Sequence, residues 1–155
     1  MVDGIDLAGR VSVEDDEGAV AILVRAARRV AVLGMKTEGQ AGQPAFYVPE
    51  YLLRAGVEVI PVPVYYPEVT AILGRKVYRR VADIPTEAGP IDIVDVFRRG
   101  SDVAQHLPDL LAARPRAVWL QSGIRDDATA GRLAQAGIVV VQDRCLMVDH
   151  RRYAR

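Results

Sequence analysis

The sequence contains one cysteine, Cys145, and two histidines, His106 and His150, too few for an internal disulfide or a Cys/His zinc site. Lysine is nearly missing: Lys36 and Lys76 are the only two among twenty basic residues. The arginine preference that results fits a GC-rich genome better than a binding role. Twenty acidic side chains cancel the basic ones, so no long-range positive field exists to recruit phosphate backbones, and general nucleic-acid binding is not expected. No apolar run approaches the ~18–20 residues of a membrane span. Acidic residues from Asp3 to Glu17 stand where a signal peptide would need a basic start and an apolar stretch. These absences point to a reducing, cytoplasmic setting without membrane, metal or nucleic-acid partners.

What is present is the balance of a globular protein, half hydrophobic and about a quarter charged, at a length that suits one domain. Residues 1–14 lack periodicity and read as a flexible arm, leaving 15–155 as the domain. From Asp15 a helical pattern begins, acidic at its start and closing on Arg25, Arg28 and Arg29 as the helix dipole favours. Val30–Leu33 reads as a buried strand halted by Gly34, and Ala45–Ala55 as a helix closed by Gly56. Val57–Val62 is the second strand, Ile91–Phe97 a central one, Ala117–Leu120 another and Ile138–Val141 the last. Between them, Glu68–Gly74 is expected as a short helix and Arg75–Arg80 as a short edge segment. Ser101 and Asp102 can cap a helix through Leu111 that Pro108 either kinks or splits, and Asp126–Ala136 forms a further helix. Strands and helices thus alternate without an internal repeat. This predicts a Rossmann-like α/β fold: a doubly wound, mostly parallel sheet with helices on both faces.

In such a sheet, ligands bind in the crevice beyond the carboxyl ends of the strands. Five loops become candidates: Gly34–Pro44, Pro61–Tyr66, Phe97–Gly100, Gln121–Arg125 and Gln142–Cys145. The first carries Gly34, Gly39 and Gly42 ahead of a helix, which suits either a phosphate cradle or a plain turn, since neither a G-x-G-x-x-G nor a G-K-[ST] signature is present. Lys36 supplies a mobile cation there or is simply solvated. Arg98 and Arg125 both follow strand ends and can each present a forked cation to phosphate, or pair with Asp102 and Asp126. Tyr65 and Tyr66 either stack on an adenosine or pack the loop, and Trp119 belongs to the core. Cys145 and His150 have the residue types of a nucleophile and base, but a structural role is favoured for both.

The segments VAVLG (30–34), IDIVDVFRR (91–99), AVWLQSGI (117–124) and VVQDRCLMVDH (140–150), in this order and spacing, resemble the small stand-alone CoA-binding proteins. That family looks like the CoA-binding domain of the succinyl-CoA synthetase α-subunit. The resemblance implies a Rossmann-like fold with coenzyme A at the strand ends. By position, Gly34, Met35 and Lys36 would form the phosphate loop, and Pro61, Val62, Pro63 and Val64 would border the adenosine. Val96, Phe97 and Arg98 would flank the pyrophosphate or pantetheine arm, with Gln121, Gly123 and Arg125 closing the crevice. Met35 and Val62-Pro63-Val64 depart from the small or hydroxyl residue and the Asn-Pro pair common in relatives. The phosphohistidine segment and grasp domain of the synthetases are missing, so ligase activity is not implied.

The function expected is therefore binding of CoA or acyl-CoA without catalysis. An acyl-CoA or NAD(P)-dependent enzyme using Cys145 or His150 is the alternative, and a CoA-sensing module with a protein partner, or a homo-oligomer, is a third reading.

Overall fold

The computed structural model describes residues 2–154. Five parallel strands, β1 (Arg29–Leu33), β2 (Glu58–Val62), β5 (Ile93–Val96), β6 (Ala117–Leu120) and β7 (Val139–Val141), form one sheet in the order β2-β1-β5-β6-β7. The expected Rossmann-like α/β architecture is therefore present. Because side chains alternate along a strand, each strand feeds both faces. Val30, Val32, Ile93 and Trp119 pack on one face with helices α1 (Glu17–Ala26), α2 (Pro44–Arg54) and α6 (Leu146–Tyr153). Ala31, Val94, Val96 and Val118 pack on the other, with α4 (Leu107–Ala113) and α5 (Asp127–Gln135). Burial on both faces explains why the strands read as near-continuous apolar runs.

The helix expected near Leu111 is in two pieces. Ser101 and Asp102, expected as caps, lie inside α3 (Gly100–Val103), whose N-cap position is Arg99 with no side-chain bond; a 3-10 turn follows at Ala104–His106, and Pro108 stands in the first turn of α4, where its missing N–H costs nothing. The short helix expected over Glu68–Gly74 is corrected: β3 (Ala71–Ile72) and β4 (Arg75–Lys76) form an antiparallel hairpin. Leu73 and Gly74 both take positive φ, the geometry of a two-residue hairpin turn, which overrides the helical spacing. The first residues, read as an arm, lie against the sheet. Val13 is fully buried and its N–H donates to the Val140 carbonyl at 2.8 Å, along the outer edge of β7. The segment after Cys145, which carries no element in the sequence reading, forms α6.

β1 connects to β2 across one face through α2, and β5 connects to β6 across the other through α3 and α4. The chain therefore departs in opposite directions from the adjacent pair β1 and β5. The register sets Leu33 level with Val62 and Val96, and Val96 level with Leu120, so four strands end together at this topological switch point.

Candidate functional site

At these strand ends lies an open crevice of about 590 Å³. Ala45, Tyr47 and Val48 from the start of α2 line one wall, Phe97–Gly100 after β5 the floor, and Gln121–Ile124 after β6 with Cys145 the opposite wall. The lining joins apolar side chains such as Val48, Phe97 and Ile124 to polar and cationic ones such as Gln43, Arg98 and Gln121.

Gly34 explains how close the loops can come. Its φ is +86°, its N–H donates to the Val62 carbonyl at 2.9 Å, and a Cβ placed there would collide with the Phe97 carbonyl oxygen. Only glycine fits that approach. Gly39 and Gly42 have no such demand on them, so the glycine-rich appearance of the loop reduces to one residue with a steric reason. Met35 is buried in the core and offers only backbone to the loop, and the Lys36 N–H donates to the Ala45 carbonyl at 3.1 Å.

The electrostatic centre is Tyr65. Lys36 Nζ stands 5.9 Å from its ring centroid, and 6.0 Å from that of Tyr66, while the Arg98 guanidinium carbon lies 5.6 Å from the Tyr65 ring. Arg98 Nη1 also donates to the Tyr65 hydroxyl at 3.4 Å, and this cationic neighbour lowers the phenol pKa. Two cations thus converge on one aromatic ring, and of these residues Arg98 is the one that lines the crevice. The Arg98 side chain is only 9% exposed, and its one carboxylate neighbour, Asp102, is 4.0 Å away. Nε donates to His106 Nε2 at 3.1 Å. Arg79 fixes the loop that carries Tyr65 by donating to the carbonyls of Tyr66, Pro67 and Val69. Neither Arg79 nor the His106 contact was legible in the sequence, because Arg79 follows the hairpin and His106 ends the turn that splits the helix, and neither position is set by local pattern.

The other residues expected at the site are distributed as follows. Pro61 and Val62 lie within β2, with their side chains buried, and the Pro61 carbonyl accepts from the Tyr78 N–H at 3.0 Å. Pro63 is buried, and Val64 packs on the second core cluster. Val96 is buried in the core on the α4–α5 face of the sheet, whereas Phe97 packs toward the opposite face and lines the crevice. Gln121 lines the crevice too, but its Oε1 accepts the Leu146 N–H at 3.0 Å, so it caps α6. Gly123 takes φ +82° and donates to Asp143 Oδ1 at 2.6 Å. Arg125 turns away: Nη2 meets Glu14 at 2.9 Å and Nε meets Asp127 at 3.5 Å, and its side chain does not line the crevice. Arg99 is 83% exposed and pairs with Asp102 at 3.1 Å.

Cys145 and His150 lie on different clefts. Cys145 lines the crevice, whereas His150 lines a groove where α1 and α2 end, with Nδ1 2.9 Å from the Tyr51 hydroxyl. Burial lowers the His150 pKa. Among the described residues, no group of three or more His, Cys, Asp or Glu could hold a metal ion, and no helix is long and apolar enough to cross a membrane.

Two features had no clear sequence signal. Arg144 bridges Asp149, at 2.7 and 2.8 Å, and Glu17, at 2.6 and 3.1 Å, while also donating to the Glu14 carbonyl. Asp95 is fully buried on β5 with neither carboxyl oxygen hydrogen-bonded, and burial pushes its pKa well above the usual range. Its flanking valines gave the appearance of an ordinary alternating strand.

Known proteins resemble this chain in sequence and fold. The uncharacterized protein YneT of Bacillus subtilis (strain 168) is 29% identical over 128 residues, 83% of this chain and 89% of its own length. A solved Thermus thermophilus structure is 40% identical, covering 89% of this chain and 98% of its own, with a TM-score of 0.78. The dinucleotide-forming acetyl-coenzyme A synthetase 1 of Ca. Korarchaeum cryptofilum, solved with phosphate and ADP, is 18% identical with a TM-score of 0.58 over 73% of this chain. That likeness covers only 25% of the synthetase and speaks to the fold alone. The model of the CoA binding domain matches residues 28–151, from just before β1 into α6 and across every strand of the parallel sheet. On that match the chain belongs to the CoA binding domain family.

Proposed function

We propose that this protein binds coenzyme A in the crevice at the switch point and performs no chemistry on it. The observation that carries this reading is the convergence of Lys36 and Arg98 on Tyr65 beside an apolar-walled crevice. The two cations neutralise the pyrophosphate, and the backbone from Gly34 to Lys36 approaches it without side-chain obstruction. The adenosine lies toward Pro61, Val62, Pro63 and Val64, with Tyr65 as a stacking face. The pantetheine arm runs past Phe97 between Val48 and Ile124, toward Cys145. Separation of Cys145 and His150 onto two clefts supports binding without a nucleophile and base pair.

Calorimetric titration of CoA and NAD tests the reading, with CoA expected to bind more tightly. Arg98→Ala removes a charge-assisted hydrogen bond worth on the order of 1.5–3 kcal/mol, a loss of about ten- to a hundred-fold in CoA affinity, with the thermal midpoint nearly unchanged. Arg99→Ala, which removes an exposed side chain of the crevice floor already paired to Asp102, is expected to lose clearly less affinity than Arg98→Ala. Equal losses in the two variants would reduce the site to a diffuse positive patch, and tighter NAD binding would overturn the choice of ligand.

A further inference from the structure

We infer that His106 is a positioning residue for Arg98, and that its protonation withdraws Arg98 from the anion site and weakens CoA binding in acid. This rests on the site proposed above.

The inference starts from the hydrogen-bond inventory of the guanidinium. Arg98 can only donate. Its Nε points at His106 Nε2 at 3.1 Å, so that ring nitrogen must present its lone pair and the imidazole must be neutral, with its proton on Nδ1. The contact fixes the inner edge of the guanidinium. Nη1 then meets the Tyr65 hydroxyl, and the outer edge borders the crevice. His106 ends the 3-10 turn between α3 and α4, and Pro108 in the next turn fixes the backbone there. The imidazole is thus carried on a stiff element, as positioning a long, flexible side chain requires.

The charged and titratable groups around the ring come from each neighbouring element. Asp102 lies on α3, Asp109 on α4, and Arg98 in the loop after β5, with Tyr65 reached through Arg98. Gln105 Nε2 stands 3.3 Å from the same ring nitrogen. The two carboxylates favour a charged imidazole, but Asp102 is held by Arg99, and Asp109 accepts the N–H groups of Val81 and Ala82. Burial of the ring and the adjacent Arg98 charge outweigh them and lower the His106 pKa. Protonation therefore replaces an acceptor with a cation facing a cation at hydrogen-bond distance. Since the Arg98 side chain is nearly buried, relief requires it to leave this position.

The test uses dephospho-CoA, because the 3′-phosphomonoester of CoA itself titrates near pH 6 whereas a pyrophosphate diester does not. Affinities are measured by calorimetry from about pH 8 to about pH 5, across the range in which histidine changes charge. Wild type is expected to bind with constant affinity at the upper end and to lose about ten-fold on acidification, the equivalent of one charge-assisted hydrogen bond. His106→Gln keeps a neutral acceptor and should bind like wild type near neutrality while remaining flat into acid. His106→Ala should bind about ten-fold more weakly than wild type does near neutrality and stay at that level into acid, where wild type falls to meet it. Thermal melts of each variant separate this from a loss of folding. A readout without ligand is the His106 NMR titration, whose midpoint should rise in Arg98→Ala.

The inference is overturned if His106→Gln shows the same acid loss as wild type, if His106→Ala binds like wild type near neutrality, or if the NMR midpoint is unmoved by Arg98→Ala. Affinity that rises in acid would also overturn it, since protonated His106 would then be adding a second cation to the site. If no CoA binds wild type at any pH, the site reading fails and takes the inference with it. CoA binding with an unaltered pH profile in His106→Gln defeats the inference alone.

Discussion

Arg98 and Arg144 are both largely withdrawn from solvent, 9% and 17% exposed at the side chain, yet their surroundings assign them opposite roles. Arg144 is answered on two sides, by the buried carboxylate of Asp149 and by Glu17, and its charge is used up in joining the start of α1 to the start of α6. Arg98 is answered by a neutral imidazole, a phenol and a carboxylate at the limit of contact. Its charge has no carboxylate closer than that. The same contrast separates the two ends of the sheet. At the end opposite the crevice, Arg25 donates to the Tyr153 carbonyl and Arg28 to the Arg25 carbonyl, so these arginines terminate helices as the macrodipole favours. An arginine-rich sequence cannot reveal which of its cations are already committed.

The largest expected effect sharpens this comparison. Arg144→Ala leaves Asp149 buried without its partner and should cost about 3–5 kcal/mol in urea unfolding, the usual result of breaking a buried ion pair, while the folded fraction still binds CoA. Arg98→Ala should do the reverse, sparing stability and losing affinity. A stability loss in Arg98→Ala as large as in Arg144→Ala would erase the distinction. Acid adds a second check. Arg144 first, and the Tyr153 hydroxyl next, lower the Glu17 pKa from 4.5 to about 2. The stability it contributes is complete above its ordinary pKa and is lost as pH falls toward about 2. Arg144→Ala should therefore show a shallower acid loss than wild type.

Asp95 provides the intermediate case, a buried ionisable group answered by nothing. Because its pKa is raised in the folded state, the native protein retains a proton that the unfolded chain releases. Stability therefore falls as pH rises above the ordinary carboxylate range. Asp95→Asn keeps the shape and removes the titration. Its stability relative to wild type should increase as pH rises above the ordinary carboxylate range, by up to about 1.4 kcal/mol per pH unit for as long as Asp95 keeps its proton in the folded state. A difference that stays constant with pH would mean that Asp95 ionises where it lies. The smallest effect concerns Cys145, one residue from Arg144 but on the crevice wall. Alkylation of this thiol should slow several-fold with saturating CoA, and unchanged labelling would move the pantetheine arm elsewhere.

The parallel strands were legible because burial on both faces requires unbroken β-branched runs, and Val30–Leu33, Ala117–Leu120 and Ile138–Val141 match the observed strands to within a residue. Local chemistry also located the helix starts, with Asp16 accepting the Ala19 N–H and Asp126 the Thr129 N–H. Where local signals were weak, the reading failed or fell short. The Leu73-Gly74 turn overrode helical spacing, and α6 lacks a broad apolar stripe. That helix is held by Gln121 on its first N–H, by the Arg144–Asp149 pair and by the Tyr51–His150 contact. All three partners are distant in sequence or outside the helix.

By itself, the sequence determined the alternation of strands and helices and the crevice that a parallel sheet opens at its strand ends, because periodicity and β-branching act over a few residues. It also placed glycine at position 34, where two loops meet. Which cations are already paired, and which gather on one aromatic ring, was settled only on folding. Lys36, Tyr65, Arg98 and His106 come from the loops after β1, β2 and β5 and from a 3-10 turn. Their convergence depends on strand order and the paths of those loops. Arg125, equally well placed by sequence after β6, turned instead to Glu14 on the N-terminal segment. A charge is directed by its nearest opposite charge in space, and that distance does not exist until the chain has folded.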